Sequence, residues 1–210
     1  MSATFGCPPP VAYLTQIAAQ CHIVPAGTLL WRIYSADGHH PTRWNTFRAW
    51  GPTDSRFDHH TLPKRIQERA IIYAAENGPT CFAECFQAIR RINRTLDHPW
   101  LVAFHTATNL TLLDLRGNWP TRAGGSQEIN TGRHTTSRSW SRAIYAAYIH
   151  VEGLFYPSKM LGGTRSLALY ERARHAIPAT PLFHEPLLSL KPAMLRALAD
   201  AASQTGYEII

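Results

Sequence analysis

The stretch from Ala70 to Arg91 constrains the fold more than any other part of the sequence. Its apolar run Ile71-Ile72-Tyr73 predicts a short buried strand. The following Glu76-Asn77-Gly78-Pro79 is a strong breaker, and apolar residues then recur at helical spacing from Phe82 to Ile92. The sequence therefore predicts a strand, a tight turn and a helix in immediate succession.

This short connection brings two polar side chains, Tyr73 and Glu84, close together in space. We expect Glu84 in the first turn or two of a helix that begins near Pro79-Thr80, where the helix dipole favours a carboxylate. On a helical wheel Glu84 falls outside the apolar stripe. From this stretch alone, a solvated surface carboxylate is therefore the simpler interpretation of Glu84.

The rest of the chain mixes short strands with helices, which is typical of a single mixed α/β domain of the α+β kind. The segment Ser35 to Lys64 has no regular pattern. Irregular segments of this length in a compact domain are more often functional or mobile than simple connections. The other predicted elements are a helix to Cys21 opened by Pro8-Pro9-Pro10, strands Thr28–Tyr34, Trp100–His105 and Leu110–Leu115 (the last two as a hairpin), loop Pro120–Gly132, helix Ser137–Val151, strands Gly153–Ser158 and Ser166–Tyr170, loop Pro178–Pro186 and a helix from Lys191-Pro192 to Gly206.

The chain has 210 residues, of which 45% are hydrophobic and 17% charged, an ordinary globular composition that excludes a disordered protein. Its formal net charge is +7. A basic balance attracts polyanions or an acidic protein. The lysines and arginines are scattered along the chain and do not form the polybasic tail that usually binds nucleic acid. A solvated basic surface is therefore the simpler interpretation.

The spacing of the cysteines and histidines does not match that of metal ligands. Cys81 and Cys85 are one helical turn apart, but no second pair of ligands is evident, and the pairs His39-His40 and His59-His60 lack ligand spacing. The sequence shows no disulfide pattern, no signal peptide and no apolar run long enough for a membrane span. We therefore expect a protein of the reducing cytoplasm without a metal or membrane partner.

Several common catalytic motifs are absent, including the phosphate-binding loop, the dinucleotide fingerprint and the nucleophile elbow. Five residues stand out instead, because each is a polar group in an unexpected setting: Arg32 in an apolar strand, Arg56 in the long irregular segment, Tyr73, Glu84, and Ser158 where a strand meets a loop. From the strand pattern alone, Arg32 is either an edge residue or is committed to an anion, and Ser158 is a turn serine or a functional hydroxyl.

In chain order these residues resemble the pattern of the RES-domain family, named for an Arg, a Glu and a Ser. The resemblance runs from about Leu30 to Tyr170. The matching pieces are Leu-Trp-Arg-Ile-Tyr at Leu30–Tyr34, Ser-Arg-Phe at Ser55–Phe57, the segment Ile72–Phe86 with its Tyr-to-Glu spacing, and Gly-Leu-Phe-Tyr-Pro-Ser at Gly153–Ser158.

The resemblance implies a fold like that of ADP-ribosyltransferases, with short strands in a split or bent sheet flanked by helices. It implies residues 27–210 as the catalytic domain, with residues 1–26 as an N-terminal helical extension. The family's best known members are bacterial toxins that destroy NAD⁺ and are neutralised by a helix-turn-helix antitoxin of the Xre type. The expected activity is cleavage of the nicotinamide–ribose bond of NAD⁺ as substrate, by a glycohydrolase or phosphorylase without a separate cofactor.

Carried over by position, the resemblance implies catalytic roles for Arg32, Glu84 and Ser158, and substrate-binding roles for Tyr73 and Arg56. Two departures matter. Many members have Gly where this chain has Ser55, and Thr42-Arg43-Trp44-Asn45 echoes an alternative form of the motif, so Arg43 is a rival for the role of Arg56.

The chemistry is physically sound, because the cationic nicotinamide leaves as a neutral base and one carboxylate can stabilise the oxocarbenium-like ribose. Glu84 would supply that carboxylate, Tyr73 would stack on the nicotinamide, and the arginines would hold the pyrophosphate. Ser158 would bond to the ribose or orient Glu84. Two alternatives remain, an ADP-ribosyltransferase that modifies a macromolecule and a non-catalytic basic module that binds nucleic acid. A homodimer is also compatible with the sequence.

Overall fold

The computed structural model describes residues 6–38 and 41–210, so the predictions for residues 1–5 and for the His39-His40 pair lie outside the described residues. The helices are α1 Val11–Leu14, α2 Gly78–Cys85, α3 Trp119–Arg122, α4 Glu128–Thr131, α5 His134–Ala147 and α6 Pro192–Thr205, with a 3₁₀ helix at Glu171–Ala176. The strands are β1 Cys21–Val24, β2 Leu29–Ser35, β3 Arg48–Gly51, β4 Arg65–Ala75, β5 Arg91–Ile92, β6 Pro99–His105, β7 Leu110–Asp114, β8 Gly153–Pro157, β9 Arg165–Tyr170, β10 Phe183–Pro186 and β11 Glu208–Ile209.

Within the described residues, nine strands form one mixed sheet in the order β1-β7-β8-β9-β4-β2-β6-β10, with β3 paired to the first half of β4. The pair β7 and β8 is parallel, and the other pairs of this sheet are antiparallel. A separate two-stranded ribbon joins β5 to β11. The predicted single mixed α/β domain is confirmed.

The sheet is split between two of its central strands. β2 pairs along its whole length with β6, but it pairs with β4 only at Trp31 and Ala75. β4 is held on its other side by β9, from Ile71 to Ala75. Beyond the single Trp31–Ala75 pair the two strands diverge, and this opening positions the site described below.

Three apolar clusters pack around the sheet. One lies between the sheet and α5, with Trp119 and Trp140 fully buried. Another packs α6 through Met194 and Leu198 against Phe82 of α2. The helix that contains Glu84 is therefore packed against the C-terminal helix, which fixes its position.

The predicted helix from Val11 to Cys21 is wrong beyond its first turn. Helix α1 ends at Leu14, and Cys21–Val24 forms the antiparallel edge strand β1 against Leu110–Leu113 of β7. The β-branched Ile23 and Val24 suit a strand, and pairing with β7 covers what would otherwise be an open sheet edge. The predicted helical extension thus contributes a strand to the main sheet.

The predicted hairpin of β6 and β7 is also wrong, because β6 pairs with β2 and β10 while β7 pairs with β1 and β8. Each strand is apolar on both faces and finds central partners far away in sequence. The predicted loop Pro178–Pro186 contains strand β10, and the predicted loop Pro120–Gly132 contains most of α3 and α4. In the described residues, no helix combines the length and the apolar character needed to cross a membrane.

Candidate active site

A cavity of about 320 Å³ opens where β2 and β4 diverge. Its walls come from both strands, from β8 and β9, from α2 and the residues just after it, from the loop before β4 and from the start of α5. The lining residues are Ile33, Ser55, Arg56, Tyr73, Ala74, Ala75, Cys81, Glu84, Cys85, Gln87, His134, Tyr156 and Ser166. Aromatic walls with a few convergent polar groups are typical of a small-molecule site.

Helix α2 has a capped N-terminus and positions Glu84 at the cavity. The side-chain oxygen of Asn77 accepts a hydrogen bond of 2.8 Å from the Thr80 N–H, which caps the first turn, and Pro79 lies inside that turn. The helix ends at Cys85 instead of continuing to Ile92, since Arg91 and Ile92 pair with the C-terminal strand. Glu84 therefore lies in the second turn, as predicted, but this is also the last turn, so the helix dipole does not favour the carboxylate there and that part of the prediction is wrong.

Hydrogen bonds hold the Glu84 carboxylate in place. Its Oε1 accepts 2.6 Å from the Ser158 hydroxyl and 3.0 Å from the Lys159 N–H, while Oε2 has only a long contact of 3.5 Å to the Gln87 amide. Glu84 is half-buried, so the interpretation as a freely solvated acid is wrong. Oε1 is engaged by the protein, and Oε2 is the oxygen with capacity for a ligand.

Ser158 lies directly after β8 and is buried. Its oxygen accepts hydrogen bonds of 3.1 Å from the N–H groups of Met160 and Leu161, which fixes the turn that follows. Its one proton goes to Glu84. The structure thus places Ser158 as a group that orients Glu84, which is one of the two roles that the resemblance implied.

The two candidates for the second arginine have different environments. Arg56 lines the cavity, and its NH1 donates 2.6 Å to the Gly132 carbonyl and 3.3 Å to the Ser137 hydroxyl. Burial lowers the Arg56 pKa, and the charge of nearby Glu84 opposes that shift. Arg43 is exposed and is not part of the cavity wall. Arg56 is therefore the arginine that the fold brings to Glu84.

Arg32 is buried and bridges the split in the sheet. Its NH1 donates 3.2 Å to the carbonyl of Tyr73, across the gap where a strand-to-strand hydrogen bond is missing. Burial lowers its pKa to about 10, and within the described part of the chain no acidic side chain forms an ion pair with it. Its Nε is buried without a partner. Arg32 lies behind the cavity wall, and its charge is felt by both Cys81 and Cys85 of that wall.

Two tyrosines form the aromatic part of the wall. Burial raises the pKa of both Tyr73 and Tyr156, so both phenols are neutral. The Tyr73 hydroxyl is buried without a hydrogen-bond partner. Tyr156 packs edge-on against Phe57 and is close enough to Glu84 for that charge to raise its pKa further.

Sequence reasoning missed several wall residues. Tyr156 could have been found, because it precedes Ser158 by two residues in the predicted strand Gly153–Ser158 and would therefore share its face. Gln87 lies three residues after Glu84, the spacing of helical neighbours. Nothing in the sequence pointed to His134, whose Nδ1–H donates at 2.6 Å to the Asp54 carbonyl and which comes from a distant helix.

The loop that carries Ser55 and Arg56 is anchored by Asp58, whose side chain is fully buried. Its carboxylate accepts from Arg48 (3.0 Å), from the Thr53 N–H (2.7 Å) and hydroxyl (2.8 Å), and from the His60 N–H (3.0 Å) and Nδ1 (2.5 Å). Burial alone would raise the Asp58 pKa, but these bonds outweigh it and hold the pKa well below its usual range. Asp58 is therefore ionised at neutral pH.

No group of three or more His, Cys, Asp or Glu side chains in the described residues is placed to hold a metal ion.

The family model described as "RES domain" matches residues 29–189, well over half of the chain. No curated protein matches the sequence significantly. Among solved structures, a chain of the "M.tuberculosis MbcT-MbcA toxin-antitoxin complex" is similar, with a TM-score of 0.51 and 16% identity, over 85% of this chain and 92% of that one. At this identity the likeness concerns the fold, and it confirms the predicted fold class.

Proposed function

Since the chain belongs to the RES domain family, we propose that it is an enzyme that cleaves the bond between nicotinamide and ribose in NAD⁺. The observation that carries the proposal is the Glu84 carboxylate, which is held by Ser158 and Lys159 at the wall of a cavity that also contains Arg56 and Tyr73. A fixed carboxylate beside neutral aromatic walls suits a reaction whose transition state is a sugar cation.

The proposed chemistry needs little proton transfer. The glycosidic C–N bond breaks with its electron pair going to the pyridinium nitrogen, so nicotinamide leaves neutral and no general acid is required. Oε2 of Glu84 stabilises the positive charge that develops on the ribose or holds its hydroxyls. Water then adds at the anomeric carbon and loses a proton, which yields ADP-ribose; inorganic phosphate as acceptor would yield the phosphorylated sugar instead.

The cavity residues have matching tasks in this proposal. Tyr73 stacks on the nicotinamide ring, and Arg56 offers its guanidinium nitrogens other than NH1 to the pyrophosphate. Arg32 holds the two diverging strands together and adds positive charge behind the wall. The presence of Arg56, Tyr73 and Glu84 in the wall of one cavity of about 320 Å³ supports these assignments.

The direct test is NAD⁺ consumption by the purified protein, with wild type compared with Glu84→Gln. Glu68→Gln is the matched control, since Glu68 is an exposed carboxylate away from the cavity. We expect wild type and Glu68→Gln to consume NAD⁺ and Glu84→Gln to lose activity with its fold intact. Product masses in water and in phosphate buffer identify the acceptor, and label from NAD⁺ on macromolecules would reveal a transferase. No consumption by wild type would contradict the proposal.

We also propose that the protein acts as the toxin of a toxin–antitoxin pair in the cytoplasm. Support comes from family membership and from the fold shared with a chain of a solved toxin–antitoxin complex. The expected partner is a helix-turn-helix protein that blocks the cavity. Expression of wild type should arrest growth and lower cellular NAD⁺, whereas Glu84→Gln should do neither. Purification from the native host should recover the partner in stoichiometric amount, and recovery of the chain alone would argue against one.

A further inference from the structure

Gln87 lies in the turn that follows α2 and lines the same cavity as Glu84. Its side-chain amide folds back over the end of the helix. The amide Nε2 donates 2.8 Å to the Glu84 carbonyl and lies 3.5 Å from Oε2 of the Glu84 carboxylate. Both neighbours are acceptors, so the amide must present its nitrogen to them. The Gln87 Oε1 is therefore the atom of this amide that is left for a ligand.

Two acceptor oxygens, Oε1 of Gln87 and Oε2 of Glu84, consequently stand next to each other at the cavity. The short bonds of an amide keep its nitrogen and oxygen about 2.2 Å apart. Added to the 3.5 Å from Nε2 to the carboxylate, this limits the separation of the two oxygens to about 5.7 Å. One water molecule with two hydrogen bonds of about 2.8 Å spans distances up to about 5.6 Å. The pair is thus spaced for a single bridging water.

Building on the proposed function, we propose that Gln87 and Glu84 together bind the water that attacks the ribose, so that the enzyme is a hydrolase. A water held in this way gives one proton to each oxygen and keeps its lone pairs for the anomeric carbon. Gln87 is then an acceptor-positioning residue, since it turns the nucleophile and selects water as the acceptor.

The step balances without a further reactant. The glycosidic C–N bond breaks with its electron pair on nicotinamide, and a lone pair of the water forms the new C–O bond. One water proton passes to Oε2 of Glu84 and from there to solvent. The other proton stays on the new hydroxyl, which remains hydrogen-bonded to Oε1 of Gln87. The products are nicotinamide, ADP-ribose and one proton.

Inorganic phosphate fits the same position poorly. Its anionic oxygens would lie against two atoms that can only accept, one of them on a carboxylate. Arg56 is the neighbouring cation that could attract phosphate instead, but its NH1 is held by Gly132 and Ser137. Our proposal gives its remaining nitrogens to the pyrophosphate. A wild type that forms mainly the phosphorylated sugar would therefore overturn the inference.

The first test measures both products from NAD⁺ at a fixed phosphate concentration. Gln87→Met keeps the length of the side chain without its amide, and Gln204→Met, at an exposed glutamine on α6, is the matched control. We expect Gln87→Met to lower kcat for ADP-ribose formation by roughly tenfold, the effect of one hydrogen bond to the nucleophile. KM should change little, and the ratio of ADP-ribose to phosphorylated sugar should fall. An unchanged ratio would overturn the role of Gln87.

A second variant separates this role from support of the helix end. Lysine can donate to the Glu84 carbonyl but cannot accept, so Gln87→Lys keeps the donor and removes the acceptor. We expect it to lose ADP-ribose formation as Gln87→Met does and to raise the share of phosphorylated sugar further, because it adds a cation. The product ratio of wild type in Gln87→Lys would show that Gln87 only supports α2. The melting temperature of each variant verifies that it is folded.

Crystal structures separate failure of this inference from failure of the proposed reaction. We expect an ordered water between Oε1 of Gln87 and Oε2 of Glu84 in wild type and its loss in Gln87→Met. Such a water in a protein that does not cleave NAD⁺ would support the water site and overturn the reaction only. Cleavage of NAD⁺ by a wild type without this water would overturn the inference alone. Absence of both would overturn both.

Discussion

The Ser158 hydroxyl donates a 2.6 Å hydrogen bond to Glu84 from a position 74 residues further along the chain. Two backbone N–H groups donate to the same hydroxyl oxygen, so its proton is aimed at the carboxylate and nowhere else. Glu84 comes from the end of a helix and Ser158 from the end of a strand. Their contact fixes one carboxylate oxygen and leaves the other for a ligand.

Replacing Ser158 with alanine should lower the kcat for NAD⁺ by roughly 10- to 100-fold, because the carboxylate loses its strongest orienting bond. KM should change little, since Ser158 does not line the cavity. Steady-state kinetics measure kcat and KM, and Ser203→Ala, a change at an exposed serine of α6, is the control. An unchanged kcat with a reduced melting temperature would make Ser158 a turn serine only.

Arg56→Ala should raise KM for NAD⁺ by roughly tenfold or more, because the cavity loses the guanidinium that the proposal assigns to the pyrophosphate. Arg43→Ala is the matched control and should stay within about twofold of wild type, as expected of an exposed cation outside the site. Initial rates over a range of NAD⁺ concentrations test both variants. A larger effect for Arg43 would reverse the assignment.

Arg32→Met should lower the free energy of unfolding by about 1–3 kcal/mol, because the Tyr73 carbonyl in the split would lose its donor. NAD⁺ turnover should fall by more than the folded fraction does, since Tyr73 lines the cavity. Urea unfolding and activity at matched folded fraction measure the two effects. A variant as stable as wild type would mean that relief of the buried charge offsets the lost hydrogen bond.

Stability should depend on Glu171 in acid. Burial alone would raise its pKa, but the His59 ring nitrogen at 3.4 Å and hydrogen bonds from the Ala70 N–H and the Tyr145 hydroxyl outweigh burial and lower the pKa from 4.5 to about 2. A lowered carboxylate pKa stabilises the folded state fully above the unfolded value, and this contribution is lost as pH falls from about 4.5 towards about 2.

Glu171→Gln should therefore be less stable than wild type by about 1–3 kcal/mol at pH 7, and the difference should shrink below about pH 4.5. Urea unfolding at a series of pH values from neutral to acid follows this difference, with Glu68→Gln as the exposed control. A difference that stays constant over the series would show that Glu171 acts through packing instead of charge.

Local elements could be predicted from the sequence wherever their pattern depends on adjacent residues. Strand β2, helix α5 and the start of α6 at Lys191-Pro192 follow from apolar periodicity and helix-start signals. The end of α2 could not be predicted, because Ile89 and Ile92 continue the helical spacing. The helix stops since Arg91–Ile92 pair with Glu208–Ile209, a contact between the middle and the end of the chain.

The same distinction applies to the site. Tyr73 and Glu84 could be placed together because a short connection joins their elements. The partnership of Glu84 with Ser158, the choice of Arg56 over Arg43 and the contribution of His134 all depend on how distant segments meet at the split in the sheet. Sequence spacing carries no information on that meeting: the position of Ser158 at the end of a strand marked it as a candidate, but only the resemblance to the RES family linked it to Glu84.

The pairing of β4 with β9 has a consequence for biosynthesis. Tyr73 faces the cavity from β4, and its paired residue on the adjacent strand β9 is Ala168. The hydrogen-bond partner of Glu84 is Ser158. A ribosome must therefore release most of the chain before either the wall or the oriented carboxylate exists, since contacts so distant in sequence form late. With the activity proposed above, the nascent chain would remain inactive until the segment that contains Ser158 and Ala168 had left the ribosome.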